Sequence, residues 1–335
     1  MEKHRSRKLN KHIDTIGKKI SSYLLLATQY LRLSAKHPRS VISYRTTGLG
    51  DCLVAAAHAW YYAKTTKRTL ILNWMPSRYL SDKTANAFRH FFVVPEEIDG
   101  VPVVARARSR SKPFHVPFRE VCPPSQERAQ WMNDLVREGR EVKDRHLCFN
   151  ECLDSLIDSE KLKPFFDALQ PRPEFQTEID AFAERHFRGK QVIGLHVRYY
   201  SPNLIFSNHT PYWQDARESL EAIRRATEKA IEEVEGADYV IFLATDAKPV
   251  RDFMMKSFTG KVVGYDKPFG AFDTRELHDE LPVETAQATI VDMFLLARAD
   301  ILIRFPPIGS WFSHYASLYV PRSIAVEMEK QKNVG

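Results

Sequence analysis

Four cysteines in 335 residues, Cys52, Cys122, Cys148 and Cys152, include no Cys-x-x-Cys pair. That is too sparse for a disulfide framework or a zinc site, so thiols are expected. No apolar run approaches the ~20 residues that cross a bilayer. The most apolar stretch near the start, Tyr23 to Ala27, is also shorter than the ~7–15 residues of a secretory core, so no signal peptide is read and the cytoplasm is the expected compartment. Gly-x-Ser-x-Gly, His-Glu-x-x-His, P-loop and kinase signatures are all absent. With them go the common hydrolase, metalloprotease and phosphoryl-transfer readings.

What remains is a chain of ordinary globular composition, 44% hydrophobic and 27% charged, long enough for two domains of roughly 150 residues. Its net charge of +7 is not spread evenly. Residues 1–40 carry +8 and the remainder −1, so the body is neutral and the charge says nothing of what it binds. In that arm Ile13, Ile16, Ile20, Leu24, Ala27 and Leu31 recur at helical spacing. The stripe is expected to pack on the body as a cap. Lying on an anionic membrane surface, as a peripheral contact at the inner membrane, is the alternative. Nucleic acid is not expected as a partner, because basic and aromatic residues do not interleave in the body.

After Pro38, short β-rich runs alternate with helical stretches. Val41 to Arg45, Thr69 to Trp74, Val101 to Ala105 and His146 to Phe149 read as strands, with a helix over Cys52 to Lys64. Residues 160–190 read as a helical link broken by Pro171 and Pro173. A second set of strands covers Gln191 to Arg198, Tyr239 to Thr245, Lys261 to Tyr265 and Ile301 to Phe305, with helices over Pro211 to Val234 and Glu284 to Ala299. The expectation is an α/β chain with a basic arm over 1–40, parallel-sheet domains over 41–170 and 191–335, and a link over 171–190. Ligands in such sheets collect at the carboxyl ends of the strands.

Polar residues gather at those ends. Gly48, Gly50 and Asp51 lie between a strand and a helix start, where backbone N–H groups can face an anion or a sugar hydroxyl, although a tight turn needs glycine anyway. Arg198 ends a buried strand, where a guanidinium can grip phosphate oxygens bidentately. His196 is two residues earlier on the same face; Thr245 and Asp246 end the next strand. Asp292 sits in the apolar helical run IVDMFLLARAD, where a carboxylate is costly without donors. A guanine base could supply them through N1–H and its amino group; an internal salt bridge to Arg298 or Arg304 is the structural alternative. No Asp-x-Asp triplet occurs, so the carboxylates that hold a divalent ion in many nucleotide-sugar enzymes are missing, and Arg198 would take the ion's place.

The strings RTTGLGDCLVAAAHAWYYAKTTKRTLILNW, IGLHVR, HTPYW, FLATD, DMFLLARADILIRFPP and YVPR, in that order from about residue 41 to 322, resemble the NodZ-type bacterial α1,6-fucosyltransferases. More distantly they resemble animal α1,6- and protein O-fucosyltransferases. The resemblance implies a GT-B fold of two Rossmann-like domains with a cleft between them, a GDP-fucose donor, an oligosaccharide acceptor and inverting transfer with no metal or other cofactor. It assigns His196 and Asp292 to guanine, Arg198 to the β-phosphate, Thr245 and Asp246 to the shape of the donor pocket and Ser310 to the phosphates. Tyr199, Thr289 and Arg304 join the donor pocket; Gly48, Gly50 and Asp51 form the opposite lip. Candidates for the general base are His209 and Asp215, with Asp51 across the cleft. One departure is local. Relatives follow His-Val-Arg with a second basic residue and an acidic segment, whereas this chain reads HVRYYSPNLIF. Tyr199 brings no charge to the diphosphate, a loss of ~1–3 kcal/mol in transition-state stabilisation. A different nucleotide-sugar donor, or a binding protein without activity, is the competing expectation.

Overall fold

A computed structural model of the chain describes residues 35–45, 48–75, 77, 79–106, 134–143, 145–149, 158–198, 216–234, 236–267, 269, 283–304 and 311–326. Residues 1–34 of the basic arm, with its apolar stripe, and Cys122, Cys152, Tyr199, His209, Asp215 and Ser310 lie outside the described residues.

Among the described residues, two five-stranded sheets form the α/β architecture. The first runs β1 (Ser40–Ser43), helix α1 (Leu49–Thr65), β2 (Thr69–Leu72), the short helix α2 (Ala87–Phe91), β3 (Glu97–Ile98), β4 (Val101–Ala105) and β5 (His146–Phe149). Its strand order is β3-β4-β2-β1-β5, parallel except for the β3–β4 hairpin. That hairpin turns through Asp99 and Gly100, both at positive φ, the conformation that glycine takes without steric cost. α1 is buried nearly all round, which explains its run of alanines: small side chains let a helix sit close between a sheet and other helices.

Helices α3 (Ser159–Asp167) and α4 (Pro173–His186) lead to the second sheet. Pro173 occupies the first turn of α4, where its missing N–H costs nothing. Then follow β6 (Gln191–Val197), α5 (Ala216–Glu233), β7 (Tyr239–Thr245), α6 (Lys248–Ser257), β8 (Val262–Val263), α7 (Val283–Leu296), β9 (Ile301–Arg304), α8 (Trp311–Ser317) and β10 (Arg322–Ala325). The order is β10-β9-β6-β7-β8 with every neighbour parallel. The chain steps outward from β6 to β8, then crosses back through α7 to lay β9 on the other side of β6. The strand order therefore reverses at β6 and β9, and a crevice opens at their carboxyl ends.

Strand alternation sorts the core. Ile193, Leu195, Val197, Ile241, Leu243 and Ile303 pack with Ile223 of α5 and Met254 of α6. Val192, Val240, Phe242 and Leu302 pack with Ile179 of α4 and Val291 and Leu295 of α7. Ile290 and Met293, on the other side of α7, join Tyr315 of α8 in the core of the first sheet. Helix α7 is thus shared between two cores, which is why its C-terminal half, Ile290 to Leu296, is apolar on both flanks apart from Asp292.

The structure corrects several boundaries. α1 begins three residues earlier than its apolar run suggests, so Gly50 and Asp51 stand inside its first turn and Gly48 is the N-cap. The strand expected over Lys261 to Tyr265 shrinks to two residues, and Arg198 falls just past β6. The short elements α2, β3, α8 and β10, of two to seven residues, carry too little periodicity to be read from the sequence; α6 is amphipathic, with Val250 and Met254 buried, and is a helix the sequence reading does not include.

Candidate functional site

Strand β6 is apolar on both faces because helices cover both. Gly194 lets α7 approach it: a Cβ there would stand 2.9 Å from the Cβ of Ala299 and 3.4 Å from Leu296. Alternation from Val192 through Gly194 brings His196, then Arg198, to the face that α7 covers. Arg304 is in register with His196 across the β6–β9 pair, and Val197 with Thr245 across β6–β7. The reversal of strand order therefore carries a histidine and two arginines at adjacent strand ends.

Electrostatics tie these residues into one cluster. Arg198 Nε lies 3.8 Å from Asp246 Oδ2, and both side chains are about half exposed. His196 is buried, 6.3 Å between ring centres from Phe312 of α8. Burial, with the Arg198 and Lys267 cations nearby, pushes its pKa down to about 3, so it is a neutral hydrogen-bonding ring at ordinary pH. Asp292 is 6% exposed. Its Oδ2 accepts from the Lys267 ammonium, and that pair is itself nearly enclosed. Burial raises the Asp292 pKa while Lys267 opposes the rise. Oδ1 of Asp292 and Nε of Arg304 are buried with no hydrogen-bond partner among the described residues. An orphaned carboxylate oxygen and an orphaned guanidinium N–H in one region suit a ligand that brings both donors and acceptors.

Thr245 Oγ1 accepts from the Ala247 backbone N–H at 3.1 Å, fixing the turn that presents Asp246. Thr245 and Lys267 also line a shallow cleft, about large enough for one water molecule, together with Leu243, Arg251, Tyr265 and Phe269. Arg251 stacks over Phe269 at 5.4 Å at its margin.

The structure thus brings together His196, Arg198, Thr245, Asp246 and Arg304, with Asp292 joined to them through Lys267. Thr289 stands three residues before Asp292 on α7, partly exposed. Gly48, Gly50 and Asp51 start α1, whose Cys52 N–H donates to Gly48 O at 3.0 Å. Cys52 Sγ donates to Arg45 O at 3.4 Å. The two arginines offered as internal partners of Asp292 are not its partners: Arg298 pairs with Asp180 of α4 at 2.5 Å. Lys267 takes that position; it sits in an irregular segment after β8, where nothing in the spacing of residues marks it in the sequence. Among the described residues no group of three or more His, Cys, Asp or Glu side chains is clustered as metal ligands would be, and no helix is long and apolar enough to cross a membrane.

A family model, Nodulation protein Z (NodZ), matches residues 37–334. Nodulation protein Z of Bradyrhizobium diazoefficiens is 35% identical over 309 residues, spanning 88% of this chain and 82% of that protein. The crystal structure of fucosyltransferase NodZ from Bradyrhizobium superposes with a TM-score of 0.69 at 30% identity, over 86% of this chain and 96% of that one. NodZ α-1,6-fucosyltransferase soaked with GDP-fucose gives a TM-score of 0.68 at 31% identity, over 86% and 94%. Sequence match, shared α/β architecture of GT-B type and the polar cluster at the second sheet's crevice agree, and the chain belongs to the NodZ family.

Proposed function

We propose that this protein transfers fucose from GDP-fucose to a hydroxyl of a GlcNAc-containing oligosaccharide, in an α1,6 sense and with inversion at the anomeric carbon. The observation that carries the reading is the arrangement at the β6–β9 crevice: a buried carboxylate with an oxygen unpartnered among the described residues, and Arg198 and Arg304 at the neighbouring strand ends. The relative with which this chain shares fold and sequence was soaked with GDP-fucose. In this reading the guanine N–H donors meet Asp292, His196 stays neutral beside the base, and the diphosphate lies toward Arg198 and Arg304.

The acceptor hydroxyl attacks C1 of fucose from the face opposite GDP, the C1–O bond to the β-phosphate breaks, and the hydroxyl proton passes to a base. The transition state is oxocarbenium-like, with negative charge growing on the departing diphosphate. Arg198 matches that charge with a two-pronged cation, and Asp246 restrains the guanidinium before the donor arrives. His209 and Asp215, which the sequence marks as bases, lie outside the described residues; Asp51 is the remaining candidate. Arg198 supplies the charge that a divalent ion supplies in other nucleotide-sugar enzymes, so the reaction is assigned no resident metal.

The test has two parts. Calorimetry should show GDP bound, UDP not, and the GDP signal lost in Asp292→Ala. Incubation with GDP-fucose and a chitin oligosaccharide should add the mass of one fucosyl residue. Binding of GDP-fucose without transfer would favour a silent binding protein, a reading that Tyr199 in place of a basic residue supports. Absence of any nucleotide binding would overturn both.

A further inference from the structure

The role of Lys267 goes beyond the family assignment. An isolated carboxylate in the wall of a buried pocket tends to take up a proton, and a protonated Asp can no longer accept from two base N–H groups. In this structure the carboxylate is not isolated. Lys267 approaches it from the segment after β8, bonds Oδ2, and leaves Oδ1 as a buried acceptor with no partner among the described residues. Lys267 also lines the neighbouring cleft with Thr245. One ammonium therefore touches the carboxylate and lies close enough to His196 at the end of β6 to disfavour its protonation.

We propose that Lys267 is a specificity-determining positioning residue of the nucleotide pocket, which ion-pairs with Oδ2 of Asp292 and so holds that carboxylate as an anion ready for the N–H donors of a guanine base. This rests on Asp292 being the base-reading carboxylate. The other charged or titratable groups on the elements around Asp292 do not serve in its place. Tyr265 donates to Glu178 of α4, and Asp180 on that helix is taken by Arg298. His196 and His314 are both held toward their neutral forms by burial and by nearby cations. Arg304, on β9, has its Nε unpartnered among the described residues.

The experiment measures GDP affinity by calorimetry from pH 5 to 8.5 for the parent and for Lys267→Met, Lys267→Arg and Asp292→Asn. The ratio of each variant's affinity to the parent's is followed, so that titration of the GDP phosphates cancels. Removing the opposite charge should move the midpoint of the Asp292-dependent affinity up by about one pH unit or more. The Lys267→Met deficit should therefore grow as the pH falls, Lys267→Arg should restore the parent profile, and Asp292→Asn should bind poorly at every pH. A Lys267→Met ratio that is level across the range overturns the proposal. Parent-like GDP binding by Asp292→Asn would instead overturn the base-reading role on which it rests. Lys267→Met, with an unpaired buried carboxylate, is at risk of not folding, so Lys267→Met/Asp292→Asn is prepared beside it. A folded double variant with an unfolded single one supports the charge pairing, and failure of both shows that Lys267 serves the fold independently of Asp292 and overturns the proposal.

Discussion

Arg198 stands one residue beyond β6, about half exposed, with Asp246 as a loose partner at 3.8 Å. Loose tethering suits a side chain that must exchange a carboxylate for a diphosphate, and it separates the arginine's role in the reaction from any role in the fold. Arg198→Ala should therefore leave the thermal midpoint within the error of an ordinary surface change. It should lower kcat for fucosyl transfer by about 10²–10³-fold, the usual effect of removing one donor to a developing anion. Arg198→Lys should recover only part, because an ammonium offers a point charge without the planar fork. An Arg198→Ala protein that turns over at the parent rate would remove Arg198 from the reaction. Arg198 and Asp246 are legible in the sequence because strand ends are marked by the abrupt change from an apolar run to a polar residue, and His196 because it interrupts the apolar run of β6 between Leu195 and Val197. Lys267 is not, since its function depends on a contact between positions 25 apart that only the fold creates.

At the scale of elements, the seat of α7 against β6 decides where Asp292 lies. Gly194→Ala would place a methyl group 2.9 Å from the Cβ of Ala299. Overpacking of this kind costs about 1–3 kcal/mol, read as a lowered unfolding midpoint, and it should weaken GDP binding by displacing α7. Ala299→Gly in the same chain should return part of both. If Gly194→Ala unfolds at the parent temperature, the close approach does not determine where α7 sits. Asn86 is a second such point. Its side chain accepts from Phe88 N and Trp74 N and donates to Leu72 O, so it caps α2 and ties it to the end of β2 at once. Asn86→Ala leaves those buried groups unpaired and should destabilise the protein by at least about 1–3 kcal/mol in chemical unfolding. The long strands and helices α1 and α7 follow from hydrophobic runs of sufficient length, and α5 from apolar residues recurring at helical spacing along a polar sequence. α2 and β10, with five and four residues, are held by tertiary contacts of this sort, and so the sequence pattern gives little sign of them.

For the whole molecule, buried histidines in both halves make stability depend on pH. His58 in α1 and His146 in β5 are pushed down to about 4 and His196 to about 3, each chiefly by burial. Each is neutral in the native protein but takes a proton in the unfolded chain below its ordinary value near 6.5. The unfolded state then binds more protons, and native stability falls as the pH drops from about 6.5 toward 4, by up to about 1.4 kcal/mol per pH unit for each histidine. Thermal midpoints measured at intervals between pH 7.5 and 4.5 should decline steeply, and His58→Asn should flatten the curve; level midpoints would contradict it. Helix α7 has a broader consequence. Ile290 and Met293 are embedded in one core while Val291 and Leu295 are embedded in the other, so this helix cannot serve as a swivel. Rotating one half against the other would tear an apolar seam on both flanks. Severing the chain between the two sheets would leave each half with an open, water-exposed wound.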